Sequence, residues 1–160
     1  MSTDNTACIF GHRKINETEE LKTKVYNTVE RLIIKEKVDT FLFGSKSQFD
    51  SLCLKQITKL KEKYPYIKRV YVRAEFPNIN DAYRAYLLEI YDDTYYPEKI
   101  IGAGRASYVE RNREIIDHSS FCVVYYDESY TYSTRKSGTK LALDYAVKRG
   151  KTVLNMFLHR

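Results

Sequence analysis

Three short stretches combine glycine, hydroxyl groups and a cation: Gly11-His12-Arg13, Gly44-Ser45-Lys46-Ser47 and Ser133-Thr134-Arg135-Lys136-Ser137-Gly138-Thr139. Such a mixture suits the binding of an anion. The first backbone N–H groups of a helix are unpaired and lie at the positive end of its dipole, and a glycine beside them lets a phosphate come close. Ser137-Gly138-Thr139 has that form, because it opens a helical pattern after the apolar run Phe121-Cys122-Val123-Val124-Tyr125-Tyr126. Upstream, Tyr108 to Asp117 reads as a polar helix that carries Arg111 and Asn112. Arg111 is suited to a bidentate clamp on phosphate, and Asn112 to a hydrogen bond with a ribose or with the adjacent loops. The alternative for Arg111 is a surface salt bridge to Glu110, Glu114 or Asp117. A Gly-Thr turn alone is ordinary punctuation between a strand and a helix, so the argument rests on the three loops together.

Other candidates have two readings each. Asp50, in the first turn of its helix, either accepts a ribose hydroxyl or complements the helix dipole. His12 either contacts a ligand or caps the first loop, and His118, between Asp117 and Ser119, reads as a turn residue. Of the fifteen tyrosines, Tyr125, Tyr126, Tyr130 and Tyr132 bracket the mouth of the anion loops, where one ring is placed to stack on a base; core packing is the alternative for Tyr125 and Tyr126.

The elements that must position these groups alternate between strand and helix. A strand over Thr6 to Phe10 leads into a helical pattern from Asn16 to Lys35, with Leu21, Val25, Val29, Leu32 and Ile33 at helical spacing. Thr40 to Phe43 and then Phe49, Cys53, Leu54, Ile57 and Leu60 repeat the event. Arg69 to Arg73 is a third strand, Asn80 to Tyr91 a helix, and Ile100-Ile101 a short extended piece. The strand over 121–126, a helix over 139–149 and a closing strand over Thr152 to Met156 complete the chain. Continuous apolar strands separated by helices predict an α/β domain, a Rossmann-like three-layer sandwich around a mainly parallel sheet. In such sheets ligands sit outside the carboxyl ends of the strands, and all three loops follow strand ends.

With 160 residues, one domain over 1–160 can bury a core without disulfides. Cys8, Cys53 and Cys122 are odd in number, far apart and set in apolar surroundings, which reads as buried reduced thiols rather than metal ligands. No metal and no cofactor is expected. No apolar stretch reaches the length of a membrane span and the polar start, Met1 to Thr6, has no signal-peptide core, so a soluble cytoplasmic protein is expected. The formal charge of +6 raises nucleic-acid binding. Lys55, Lys59, Lys61 and Lys63 however fall on or just after one helix while acidic residues interleave through the other segments, and a solvated helix face is the simpler reading.

With these residues in place, the chain resembles the SLOG superfamily, the Rossmann-like group that includes the LOG-type nucleoside-monophosphate phosphoribohydrolases formerly labelled lysine decarboxylases. It is closest to the small YpsA-like, often prophage-encoded branch. The resemblance is carried by Gly11-His12-Arg13, Gly44-Ser45-Lys46-Ser47-Gln48-Phe49-Asp50, Glu110-Arg111-Asn112 and Ser137-Gly138-Thr139, in that order along nearly the whole chain. In the LOG enzymes an Arg-Lys pair precedes a Pro-Gly-Gly-x-Gly-Thr-x-x-Glu loop, whose glycines hold phosphate and whose Glu acts with the Arg on the N-glycosidic bond. Arg111 matches that Arg. Asn112 stands for the Lys, Thr134-Arg135-Lys136 for Pro-Gly-Gly, and Ala142 for the Glu. A carboxylate that stabilises the oxocarbenium-like charge contributes about 10²–10⁴ in rate, so its replacement argues against efficient hydrolysis.

The resemblance thus implies a domain that senses or sequesters a nucleotide-derived ligand, such as a nucleoside monophosphate or ADP-ribose, without efficient turnover. Its ligand-binding residues would be Gly11, His12, Arg13, Gly44, Ser45, Lys46, Asp50, Arg111, Asn112, Ser137, Gly138 and Thr139. The rival readings are an N-glycosidic-bond hydrolase that works through Arg111 with Glu110 as the replacement carboxylate, and a nucleic-acid or protein adaptor. On the hydrolase frame, Ala142→Glu would raise turnover provided the pocket is otherwise intact. A homodimer is expected from the resemblance.

Overall fold

The computed structural model describes residues 3–129 and 137–158. Six strands form one all-parallel sheet: β1 (Thr6–Gly11), β2 (Thr40–Phe43), β3 (Lys68–Val72), β4 (Asp93–Tyr95), β5 (Phe121–Tyr125) and β6 (Thr152–Asn155), in the spatial order β4-β3-β2-β1-β5-β6. Five helices connect them: α1 (Glu19–Lys35), α2 (Gln48–Lys63), α3 (Asp81–Ile90), α4 (Ser107–Asp117) and α5 (Gly138–Lys148).

The apolar alternation within strands assigns each helix to a face. Ala7 and Ile9 of β1 pack with the apolar stripes of α1 and α2 and with Leu87 of α3, while Cys8 and Phe10 pack with Ile115 and Ile116 of α4 and Ala142 and Ala146 of α5. Chain direction accounts for this division. The sheet first grows one way from β1 to β4, returns through α4 to β5 on the other side of β1, and right-handed crossovers then place the last two helices on the opposite face. The reversal point is the β1–β5 boundary, where Gly11 lies in register with Tyr125.

Two expectations are corrected. Ile100-Ile101 is no extended piece: Glu98–Ile100 is a 3-10 turn, with Ile100 buried beneath it. The fourth strand is instead Asp93–Tyr95, an edge strand whose one buried residue, Thr94, leaves no alternation to read. The helices begin at polar caps: the Thr18 side chain accepts from the Leu21 N–H, Ser47 from that of Asp50, and Ser137 from that of Lys140.

Two of the α2 lysines have local partners. Lys63 pairs with Glu30 of α1 at 2.8 Å, and Lys61 lies 3.5 Å from Asp92. The three cysteines are free thiols and fully buried, with Cys8 donating to the Cys122 sulfur at 3.6 Å across β1 and β5. Among the described residues, no helix is long and apolar enough to cross a membrane, and no group of His, Cys, Asp and Glu is placed to hold a metal ion.

Candidate functional site

Parallel register brings the carboxyl ends of β2, β1 and β5 side by side, so the loops that begin at Gly11 and Gly44 and the β5–α5 connection leave the same edge of the sheet. The first two loops are fused into one wall. The Gln48 N–H donates to the Arg13 carbonyl at 2.9 Å, and the Gln48 side chain accepts from the Ile15 N–H at 2.9 Å. Gly11 is required by this docking, because a Cβ there would lie 2.6 Å from the Phe49 ring. Its glycine serves the packing of α2 on the end of β1; Arg13 and Lys46 extend from the wall into solvent.

The anion position at the start of α2 is filled by the chain itself. Asp50 turns back over the helix end: Ser47 Oγ donates to its carboxylate at 2.7 Å and the Ser45 N–H donates at 3.3 Å, while the Asp50 N–H donates to Ser47 Oγ at 3.0 Å. This is a reciprocal capping arrangement in which the acidic residue complements the helix dipole. It engages the N–H of Ser45, a residue expected to bind the ligand. Burial pushes the Asp50 carboxyl up to about 7, against the bonds from Ser47 and Ser45 and the field of Arg111.

Arg111 comes from the opposite face of the sheet. Ile115 and Ile116 anchor α4 in the core, and one turn earlier the Arg111 side chain reaches across the end of β2. Gly44 makes room for it, since a Cβ at Gly44 would lie 2.6 Å from Arg111 Nε. Nη1 donates to the Val72 carbonyl at 3.4 Å, Nε donates to Asn112 Oδ1 at 3.0 Å, and the guanidinium lies 5.7 Å from the centre of the Tyr108 ring. The residue is only 4% exposed, and burial lowers its pKa from the ordinary arginine value. The surface salt-bridge reading is therefore replaced. Glu110 pairs with Arg113 at 3.3 Å, Glu114 with Lys99 at 2.7 Å, and Asp117 with Arg149 at 3.2 Å. Among the described residues, no carboxylate forms an ion pair with Arg111.

At the start of α5, Ser137 caps the helix and Gly138 is its first residue. A Cβ on Gly138 would meet nothing within 4 Å among the described residues, which leave this helix end open on their side. Thr139 is half-buried behind it, and Lys140 pairs with Asp144 at 2.9 Å with its ammonium 5.5 Å from the Tyr126 ring centre. Ala142 lies in the apolar layer with Phe10, Cys122 and Val124. A carboxylate introduced by Ala142→Glu would therefore start from this apolar layer. Glu110, turned to Arg113, is likewise not aimed at the edge. Tyr130, Tyr132, Ser133, Thr134, Arg135 and Lys136 lie outside the described residues.

His12 closes the β1–β5 boundary. Its backbone N–H donates to the Tyr125 carbonyl at 3.3 Å, and its Nε2 accepts from the Asp127 N–H at 3.0 Å, which assigns the ring proton to Nδ1. Burial lowers its pKa and keeps the ring neutral. This is the loop-capping reading of His12. His118 sits at the end of α4 and pairs with Glu114 at 2.8 Å when protonated.

Sequence reasoning missed the groups that hold Arg111 in place. Tyr108 donates to Glu75 at 3.0 Å, linking α4 to the β3–α3 loop, and Tyr71 adds an aromatic surface beneath Lys46, whose ammonium is 5.7 Å from its ring centre. No local pattern marks these residues; they become neighbours only through strand order.

No protein-family model matches the sequence. The chain is similar to the uncharacterized SPbeta prophage-derived protein YoqJ of Bacillus subtilis (strain 168), with 30% identity over 146 residues that cover 81% of each chain.

Proposed function

The chain belongs to the family of the SPbeta prophage-derived protein YoqJ, and from that premise we propose that it is a SLOG-type domain which binds a nucleotide-derived ligand, a nucleoside monophosphate or ADP-ribose, without efficient turnover. The observation that carries the reading is Arg111: a buried guanidinium laid over Gly44 at the carboxyl edge, with no carboxylate paired to it among the described residues. Desolvating a cation is costly, and an arginine fork placed in this way is compensated when an anion joins it. The open start of α5 at Gly138, on the same face of the sheet, supplies backbone N–H groups for phosphate. The start of α2 is already neutralised by Asp50, so in this reading it shapes the wall and does not bind the anion.

Slow turnover is supported by the placement of the two carboxylate positions on which the hydrolase reading relies. A glycosidic bond held between Arg111 and α5 would face neither Glu110, which pairs with Arg113, nor a side chain at Ala142, which packs in the core.

The test is calorimetric titration of the full chain with the four ribonucleoside monophosphates, ADP-ribose and ribose 5-phosphate, with free base assayed by chromatography. Binding of at least one nucleotide, lost in Arg111→Ala, and no base released over hours is the expected result. Absence of any binding removes the reading, and rapid base release replaces it with a hydrolase.

A further inference from the structure

The carboxyl edge holds a second recess, on the α1 face of the sheet and so on the side away from α4 and α5. A cavity of about 650 Å³ opens between the β1–α1 loop and the segment after β6, with Lys14, Ile15, Asn16, Tyr125, Asp127 and Phe157 among its lining residues. This volume is that of a small-molecule site.

Walls and rim differ in chemistry. Tyr125 and Phe157 meet edge to face with ring centres 5.5 Å apart. Among the described residues, the rim carries the exposed Lys14 and Asp127, whose carboxylate accepts from the Ser129 N–H at 2.9 Å and the Ser129 hydroxyl at 2.7 Å. Opposite charges leave little net attraction for a phosphate. A flat neutral ring with donors and acceptors along its edge gains from the aromatic wall and from both rim groups.

The recess and the start of α5 are joined by a run of side chains over the β1–β5 boundary. Lys140 Nζ lies 5.5 Å from the Tyr126 ring centre, Tyr126 lies 5.4 Å from His12, and His12 lies 6.1 Å from Tyr125, which floors the cavity. A ligand that crosses this boundary meets cationic and N–H groups on one side and an aromatic recess on the other.

We propose that the α1-face cavity is the subsite for the heterocycle of the ligand, with the phosphate held across the boundary at α5 and Arg111. This rests on the nucleotide-binding reading above and adds that the ring itself is recognised. Phosphosugars that lack a base are therefore weak ligands.

The experiment compares the unaltered protein with Ile15→Trp, which fills the cavity while keeping the Ile15 N–H bond to Gln48, and with Phe157→Ala, which removes one aromatic wall. Each is titrated with the ribonucleoside monophosphates, ADP-ribose and ribose 5-phosphate, after circular dichroism has verified its fold. Stacking of one base is worth about tenfold or more in affinity. The unaltered protein should bind its preferred nucleotide at least about tenfold more tightly than ribose 5-phosphate, and both variants should lose that margin while ribose 5-phosphate affinity stays the same. Nucleotide affinity equal in all three proteins overturns the subsite and leaves the nucleotide reading standing. Failure of every probe to bind the unaltered protein overturns both.

Discussion

The Asp50 carboxyl predicts a specific pH dependence of stability. Its side chain is 2% exposed and packed on the start of α2, and burial holds its pKa at about 7, against an ordinary value of 3.8. A folded state that raises a carboxyl pKa binds the proton more tightly than the unfolded chain does. The stabilisation is complete below the unfolded value near 3.8 and is lost as pH rises toward about 7. A shift of this size corresponds to about 4 kcal/mol across that window. Asp50→Asn isolates the effect: the amide oxygen accepts from the Ser45 N–H, the amide nitrogen donates to Ser47 Oγ, and nothing titrates. Urea denaturation of both proteins at half-unit steps from pH 4.5 to 8 should show the unaltered chain losing stability relative to Asp50→Asn by several kcal/mol as pH rises. The difference should level off above pH 7.5. Parallel stability profiles, or a relative gain for the unaltered protein with rising pH, would refute the assignment of a raised pKa.

Three further outcomes follow from the site geometry. Gly138→Val should leave the denaturation midpoint nearly unchanged, since its side chain enters open space, yet reduce nucleotide affinity; undiminished affinity by calorimetry would show that α5 does not hold the phosphate. Gly44→Ala should instead destabilise the fold by about 1–3 kcal/mol and weaken ligand binding, because the new methyl group displaces the Arg111 guanidinium; equal stability and affinity would contradict the close packing at this position. Ala142→Glu should lower stability by about 2–4 kcal/mol through a carboxylate in the Phe10–Val124 layer, with no base released from nucleoside monophosphates; a stable variant with hydrolase activity would show that this position faces the ligand.

The alternating architecture and the parallel sheet were legible in the sequence, since strands such as Phe41-Leu42-Phe43 and Cys122-Val123-Val124 are apolar on both faces while α1 and α2 carry a single apolar stripe. Periodicity is a local property and survives without tertiary context. The same holds for caps such as Ser47 and Ser137, whose partners lie three residues away. Short-range patterns could not reveal the edge strand Asp93–Tyr95, because three residues with one buried side chain present no period. Nor could they distinguish the uses of the glycines: Gly11 yields to Phe49, Gly44 to Arg111, and Gly138 meets no neighbour among the described residues, and the first two differences depend on residues 38 and 67 positions apart. Arg111 shows the limit most clearly. Its sequence neighbours offer salt bridges on every side, yet the return of the chain through α4 to β5 carries its guanidinium over the ends of β2 and β3, and the α4 carboxylates Glu110, Glu114 and Asp117 are drawn off by Arg113, Lys99 and Arg149, while Asp50 and Glu75 act on it through their fields. Residue type determined that Arg111 can hold an anion; strand order and competition among charges decided that, among the described residues, it is buried at the carboxyl edge with no carboxylate ion-paired to it.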